Sequence, residues 1–404
     1  DVALVHSPDI DMTGIAERVW YPLWDAGLKL GHQVGTVDQL LEVGREDLEM
    51  ATSLLSTRRV AGALDLVDDL AGRSLGQWQA RSRRNLNQLQ EAVAARHARF
   101  GEVAFLLEPD LKEARGGLRD VHSLVWLEKA TVPILRDVES AGLAAAFETL
   151  LTVRVELHRL TGQRSDKLLL ELQDDVAVAL GLPDADVLMA EVSTAGRTIA
   201  WTVEGAARRT LRAARRRGPM KVLSGMRRQQ VGPGLVLDDG RLELTSEADL
   251  EDPLVVLRCA VTAAHRGAYL QRGTLERLAD YAKPLPVPWP AEARDLFVEL
   301  LAAGVSAVPV IEDLDQVGLF VLMVPEWEPC RSRPQRNAYH RFTVDRHLME
   351  AAAEASRLVD RVDRPDLLLV GALFHDIGKG YPGDHTAAGI GLLEAIAVRM
   401  GYEK

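Results

Sequence analysis

Apolar residues recur at spacings of three and four along most of the chain, and this period predicts helices. The pattern covers Glu46 to Leu55, Arg59 to Leu70, Leu75 to Phe100, Val121 to Ala130, Ala141 to Thr161 and Ala185 to Arg217. Two stretches break it. Residues 1 to about 43 read as strand (Val2 to Val5), helix (about Gly14 to Leu30) and strand (His32 to Val37), an α/β unit whose sheet is incomplete. Near 219 the texture changes again. Val231 to Leu244 reads as two strands around Asp239-Gly240, a dipeptide suited to tight hairpins. Helices return at Pro253 to Tyr269, Thr274 to Tyr281 and, after a proline-rich linker, Ala291 to Ala303, and a short strand is expected within Val310 to Val324. Arg331 to Tyr339 reads as a connector into a last helical domain.

Length and composition narrow this picture. A chain of 404 residues predicts two to four domains. Only 5% of residues are aromatic while Ala and Leu abound, which favours helix over strand. A net charge of −11 argues against tracking along DNA or RNA, though it leaves room for one nucleotide. Cys259 and Cys330 form no zinc pattern and no disulfide framework, so two reduced thiols in a cytoplasmic protein are expected. No membrane span or signal peptide is expected either. The chain opens at Asp1 inside a strand pattern and stops at Lys404 after an Ala-rich helical pattern, so a stretch of a longer protein is expected.

The chemistry concentrates near the C-terminus. The run Leu367 to Phe374 predicts a buried helix, and it leads directly into His375-Asp376. Burying a carboxylate beside an imidazole is costly without a partner, and a divalent metal ion is a fitting one. His347 sits on the preceding helix, Arg346 to Leu358, and an antiparallel pair would bring it beside His375-Asp376. Lys379 follows four residues after His375, on the same face if the helix continues, and Gly383-Asp384-His385 opens a further helix. Three other features are weaker. Asp1 heads an apolar strand. The loop Glu108 to Asp120 carries Gly116-Gly117, which would let backbone approach a phosphate or another segment, or it simply ends in Asp120 as a helix cap. The arginines 208, 209, 212, 215, 216 and 217 read as the basic end of a helix more readily than as a nucleotide site.

His347, His375-Asp376 and the residues around them resemble the HD phosphohydrolase superfamily. Asp1 with its strand, helix and strand resembles the polymerase-β-like nucleotidyltransferase fold. Taken in order with Trp24 to Val34, Leu107 to Lys112, Gly116 to Asp120, and Tyr339 to His347, the chain resembles the bifunctional uridylyltransferase/uridylyl-removing enzymes of bacterial nitrogen control, the GlnD family.

The resemblance implies a mainly α fold with a partial α/β nucleotidyltransferase domain at the N-terminus and an all-α HD domain at the C-terminus. It divides the chain into a partial nucleotidyltransferase domain (1–45), a helical domain (46–218), a mixed α/β linking segment (219–335) and a partial HD domain (336–404). It makes His347, His375 and Asp376 metal ligands, with a last Asp ligand expected after Lys404. His385 would support a second ion, Lys379 would stabilise phosphate charge, and Asp1 would hold Mg2+ with the nucleotide. A third carboxylate expected on the strand His32 to Val37 is missing, and Asp38 follows it. The implied activity is transfer of UMP, or AMP, from UTP or ATP to a tyrosine of the PII signal protein. Its hydrolytic removal would be aided by Mg2+ or Mn2+. Two competing expectations are a tRNA nucleotidyltransferase with an HD domain and a non-catalytic regulatory protein with degenerate domains.

Overall fold

A computed structural model describes residues 2–130, 137–217, 228–335 and 341–402. The N-terminal strand–helix–strand unit is present as β1 (Val2–Val5), α1 (Ile15–Asp25) and β2 (His32–Gly35), and the two strands pair in parallel from Val2–His32 to Val5–Gly35. Helix α1 ends earlier than its apolar pattern because Gly27 takes φ 76°. Its N–H bonds Trp24 O, and the next N–H bonds Leu23 O at 3.0 Å, which closes the helix end.

Strand β2 also ends early. Thr36 caps α2 (Val37–Glu46) in a reciprocal arrangement: its hydroxyl accepts from Gln39 N at 3.3 Å and its own N–H donates to Gln39 Oε1 at 2.9 Å. Val37 and Asp38 are therefore helical rather than extended, and Asp38 pairs with Arg73 at the surface.

The helical run follows as α3 (Leu48–Leu54), α4 (Leu64–Ala80), α5 (Ser82–Phe100), α6 (Leu118–Ala130), α7 (Asp137–Thr161), α8 (Gln173–Ala179) and α9 (Ala185–Arg217). The mixed segment supplies β3 (Gln229–Gly232), β4 (Leu235–Asp238), β5 (Arg241–Leu244), α10 (Val255–Arg266), β6 (Tyr269–Leu270), α11 (Arg272–Tyr281) and α12 (Ala291–Ala302). Its sheet has the order β3-β4-β5-β6, with only the last pair parallel. Asp239 and Gly240, at φ 54° and 72°, make the expected hairpin turn between β4 and β5.

The strand expected within Val310 to Val324 is absent. That stretch is helical, as α13 (Val308–Gln316) and α14 (Leu319–Met323), separated by Gly318 at φ 80°. The apolar residues there satisfy a helical burial pattern instead: Val308, Ile311 and Leu314 are all buried. The chain ends in α15 (Val344–Ala355), α16 (Pro365–Phe374) and α17 (His385–Arg399). The mainly α class with a small α/β unit at the N-terminus and an all-α C-terminal region is thus the observed one.

The chain folds as two compact units, each assembled from separated stretches. One comprises Asp1–Arg99, Arg119–Ala141 and Thr202–Gly218; the other comprises Phe100–Leu118, Gly142–Trp201 and Pro219–Lys404. In the first, Leu55, Trp78, Leu86, Leu89 and Leu127 form a core, with the Trp78 indole N–H satisfied by Trp126 O at 3.0 Å. In the second, Phe297 of α12 lies parallel to Phe374 of α16 at 6.5 Å and meets Trp289 edge-on at 5.5 Å. Among the described residues no helix is long and apolar enough to cross a membrane.

The loop before α6 is explained by packing. Gly116 has φ 80°, and a Cβ there would lie 2.3 Å from Gly196 O of α9. The close approach that Gly116-Gly117 permits is therefore made to a helix backbone of the same unit. Asp120 is not a cap, since α6 begins at Leu118. It is buried in the first turn, where it accepts from Arg96 and His97, the latter at 2.8 Å. Burial raises its carboxyl, but the hydrogen bond and charge of His97, joined by the Arg96 guanidinium, outweigh this and hold it below the usual carboxylate range. On α9, Arg208 pairs with Glu204 and Arg209 with the buried Glu139, at 3.3 and 3.0 Å. Arg212 lies on the same helix, and the side chains of Arg215, Arg216 and Arg217 fall outside the described residues.

Candidate metal centre

Helix α15 enters the site under tight control. Thr343 N donates to Phe105 O and Val344 N to Arg333 O, both at 2.9 Å. The first turn then carries three charged or titratable residues with different fates. Asp345 is fully buried, paired with Arg197 of α9 and receiving Ser332 N at 2.9 Å. Arg346 lies over the Phe105 ring at 4.8 Å and pairs with Glu312, Glu350 and Glu102. Burial pushes Glu312 up to about 7 against the pull of Arg346. His347 is left facing α16.

Helix α16 begins with Pro365 at its first turn and buries Leu369, Val370, Leu373 and Phe374. The helix ends at Phe374. His375 and Asp376 therefore stand at its C-terminal end and not within a buried helix, and the His375 side chain is 43% exposed. A 3₁₀ turn, Ile377–Gly380, replaces the helical continuation expected through Lys379. Two glycines make that turn possible. A Cβ on Gly378 would lie 2.0 Å from His385 O, and one on Gly380 would lie 2.7 Å from Cys330 Sγ. The buried Cys330 thiol donates to Ile377 O at 3.3 Å.

The result is a three-residue cluster. His347 Nε2 is 3.3 Å from His375 Nε2 and 3.6 Å from Asp376 Oδ2, and His375 Nε2 is 3.4 Å from that same oxygen. One ligand atom from each of the three lies within 4.8 Å of the others. His375 Nδ1 lies 2.9 Å from Ala372 O, which can only accept, so Nδ1 donates and Nε2 keeps its lone pair pointed into the cluster. Asp376 feels burial, which raises its carboxyl. The hydrogen bond and charge of Lys379, followed by the two histidines, more than offset this and lower it. Two imidazole nitrogens and a carboxylate oxygen converging on one point suit a divalent cation such as Mn2+, Zn2+ or Mg2+.

The other expected residues fall as follows. Lys379 Nζ is 2.7 Å from Asp376 Oδ2 and donates to Gln335 Oε1 at 2.8 Å, so it adjoins the cluster through the carboxylate. His385 is the first residue of α17, behind an Asp384 cap that accepts Thr386 N and Ala387 N at 2.9 Å, and it is not part of the three-residue cluster. Asp1 lies outside the described residues. Gln335, whose contact with Lys379 only the fold creates, has no signal in the sequence.

Comparison with known proteins agrees with this geometry. A family model described as GlnD PII-uridylyltransferase matches residues 84–205, and an HD domain model matches residues 344–403, which contain the cluster. A relative from Streptomyces coelicolor, named bifunctional uridylyltransferase/uridylyl-removing enzyme, is 43% identical over 100% of this chain and 50% of its own length. Relatives of the same name from Mycobacterium tuberculosis (41% identical, 99% of this chain, 51% of the relative) and Corynebacterium glutamicum (33%, 99% and 57%) behave alike. The chain thus spans about half the length of the relatives it matches. No solved structure matches it. The chain thus carries a GlnD uridylyltransferase match followed by an HD match, and along its whole length it is similar to about half of a bifunctional uridylyltransferase/uridylyl-removing enzyme.

Proposed function

We propose that this chain carries the nucleotidyl-removing centre of a bifunctional enzyme that transfers a nucleoside monophosphate to a tyrosine of the PII signal protein and hydrolyses it off again. The observation that carries this reading is the convergence of His347 Nε2, His375 Nε2 and Asp376 Oδ2 within the HD-matched stretch. These three residues would hold a divalent ion, Mn2+ or Mg2+. Such an ion, when bound, supplies a hydroxide at neutral pH and shields phosphate charge. His375 is held in the tautomer that offers Nε2, through its bond to Ala372 O. Asp376 is kept ionised by Lys379, and the Lys379 ammonium is placed to meet a phosphoryl oxygen. Water adds at phosphorus, the bond to the tyrosine oxygen breaks, and UMP and the tyrosine hydroxyl are released.

The transfer half takes UTP, or ATP, with Mg2+, and Asp1 would be one of its ligands at the head of β1. The parallel β1–β2 pair supports an α/β nucleotidyltransferase layout there. PII and the nucleotide are the partners; neither a membrane nor bulk nucleic acid is. The cytoplasm suits two buried, unpaired thiols, Cys259 and Cys330, both pushed up to about 12 by burial.

The test is mass spectrometry of nucleotidylated PII incubated with Mn2+ and the enzyme, or with its His375→Ala, Asp376→Ala double variant. Wild type should release the nucleotide and the variant should not. Equal release by both would sink the assignment.

A further inference from the structure

We propose that Gln335 is a positioning residue of this centre: its side-chain carbonyl holds the Lys379 ammonium beside Asp376, and its amide ties that turn to the start of the His347 helix. The proposal rests on the hydrolytic reading above. Gln335 is 7% exposed and lies outside both family-matched stretches, 84–205 and 344–403. Its partners fix which way the amide faces, because an ammonium only donates and a backbone carbonyl only accepts. Oε1 accepts from Lys379 Nζ at 2.8 Å and Nε2 donates to Phe342 O at 3.2 Å.

The Asp376 contact is by itself a loose hold on Lys379. A lysine loses much rotamer freedom when pinned, and a single contact to a partly exposed carboxylate is a weak restraint. The oxygen involved, Asp376 Oδ2, is also the one facing both histidines, at 3.4 and 3.6 Å. When that oxygen gives its electrons to a cation, its claim on the ammonium weakens. The Gln335 carbonyl is a second acceptor that carries no charge. It keeps Lys379 at the edge of the site without neutralising it, so the positive charge stays available to a phosphoryl oxygen. Phe342 lies just before α15, so the same side chain joins the turn bearing Asp376 to the helix bearing His347.

The experiment measures acylation of Lys379 by a small amine-reactive ester, mapped by peptide mass spectrometry, in the 404-residue chain and in its Gln335→Leu and Gln335→Glu variants. Removing an acceptor for a charged donor should raise Lys379 labelling roughly tenfold in Gln335→Leu, with the other lysines unchanged. Gln335→Glu keeps an acceptor, now a charged one, and should label Lys379 no faster than wild type. Wild-type labelling in Gln335→Leu, even with a lowered melting temperature, would overturn the proposal, as would Gln335→Glu labelled like Gln335→Leu. If Gln335→Leu does not fold, all its lysines will react and Gln335→Glu decides: slow labelling supports the hold, fast labelling overturns it. Calorimetry with Mn2+ on wild type separates the two claims. No binding there would sink the metal reading, while the labelling contrast reports the Gln335–Lys379 contact whatever the metal does.

Discussion

Asp120 and Asp376 each meet a histidine and a cationic side chain, one in each compact unit, and each carboxyl is held below its ordinary range. Their surroundings differ in exposure and in what the partners leave over. Asp120 has a side chain 2% exposed and is gripped by the Arg96 guanidinium, which offers only donors. Asp376 is 20% exposed and faces two imidazoles, at least one of which turns a lone pair toward it. The first group is closed by charges the chain itself supplies. The second gathers acceptors around one point. An Asp–His pair signals ligand binding when acceptors converge, and signals architecture when donors saturate the carboxylate.

The contrast can be broken by mutation. Asp120→Ala should cost about 3–5 kcal/mol, because it removes the buried carboxylate from its hydrogen-bonded charge cluster with Arg96 and His97. Urea unfolding measures this, and Mn2+ affinity should not change. His347→Ala should do the reverse. Calorimetry should find Mn2+ binding weakened by at least about 100-fold, with little loss of stability, since His347 is part-exposed. A destabilised His347→Ala that binds Mn2+ normally would erase the distinction. The smallest effect is on pH. Asp120 has a lowered folded-state pKa, so its stabilisation is complete above the unfolded value of about 4 and is lost as pH falls through the lowered one. The stability gap between wild type and Asp120→Asn should therefore be level from neutral pH down to about 4 and narrow only below it.

Much of the fold was legible because burial and period agree. Helix α9 runs from Ala185 to Arg217 as its spacing predicts, and the hairpin turns at Asp239-Gly240. Sequence and structure differ where local preference and tertiary burial part company. Val34 to Val37 looks extended, yet Thr36 and Gln39 cap a helix, and that Thr-x-x-Gln spacing was the available signal. Val310 to Val324 looks strand-like until its buried face is seen to follow a helical period. At the site, the pairing of His347 with His375-Asp376 could be anticipated from two helices and a turn. The 3₁₀ turn that follows α16 could not, because the two glycines that shape it answer to His385 and Cys330, contacts that no local pattern shows. Asp38 pairing with Arg73 and Gln335 receiving Lys379 depend in the same way on contacts that only folding creates.

The meeting of Gly116 with Gly196 bears on how this sequence is able to change. A Cβ on Gly116 would strike the Gly196 carbonyl, and one on Gly196 would strike Val103 at 2.8 Å and the Ala104 nitrogen at 3.0 Å. Where a side chain blocks a new methyl, a second substitution can shrink it and restore the fit. Peptide atoms have no smaller alternative. Codon 116 is thus locked without any compensating partner elsewhere, whereas the clash at 196 falls first on the Val103 side chain. Descendants of this chain can drift across its surface helices while the thread between that loop and α9 stays fixed, and with it the neighbouring Arg197 that reaches Asp345 at the start of the His347 helix.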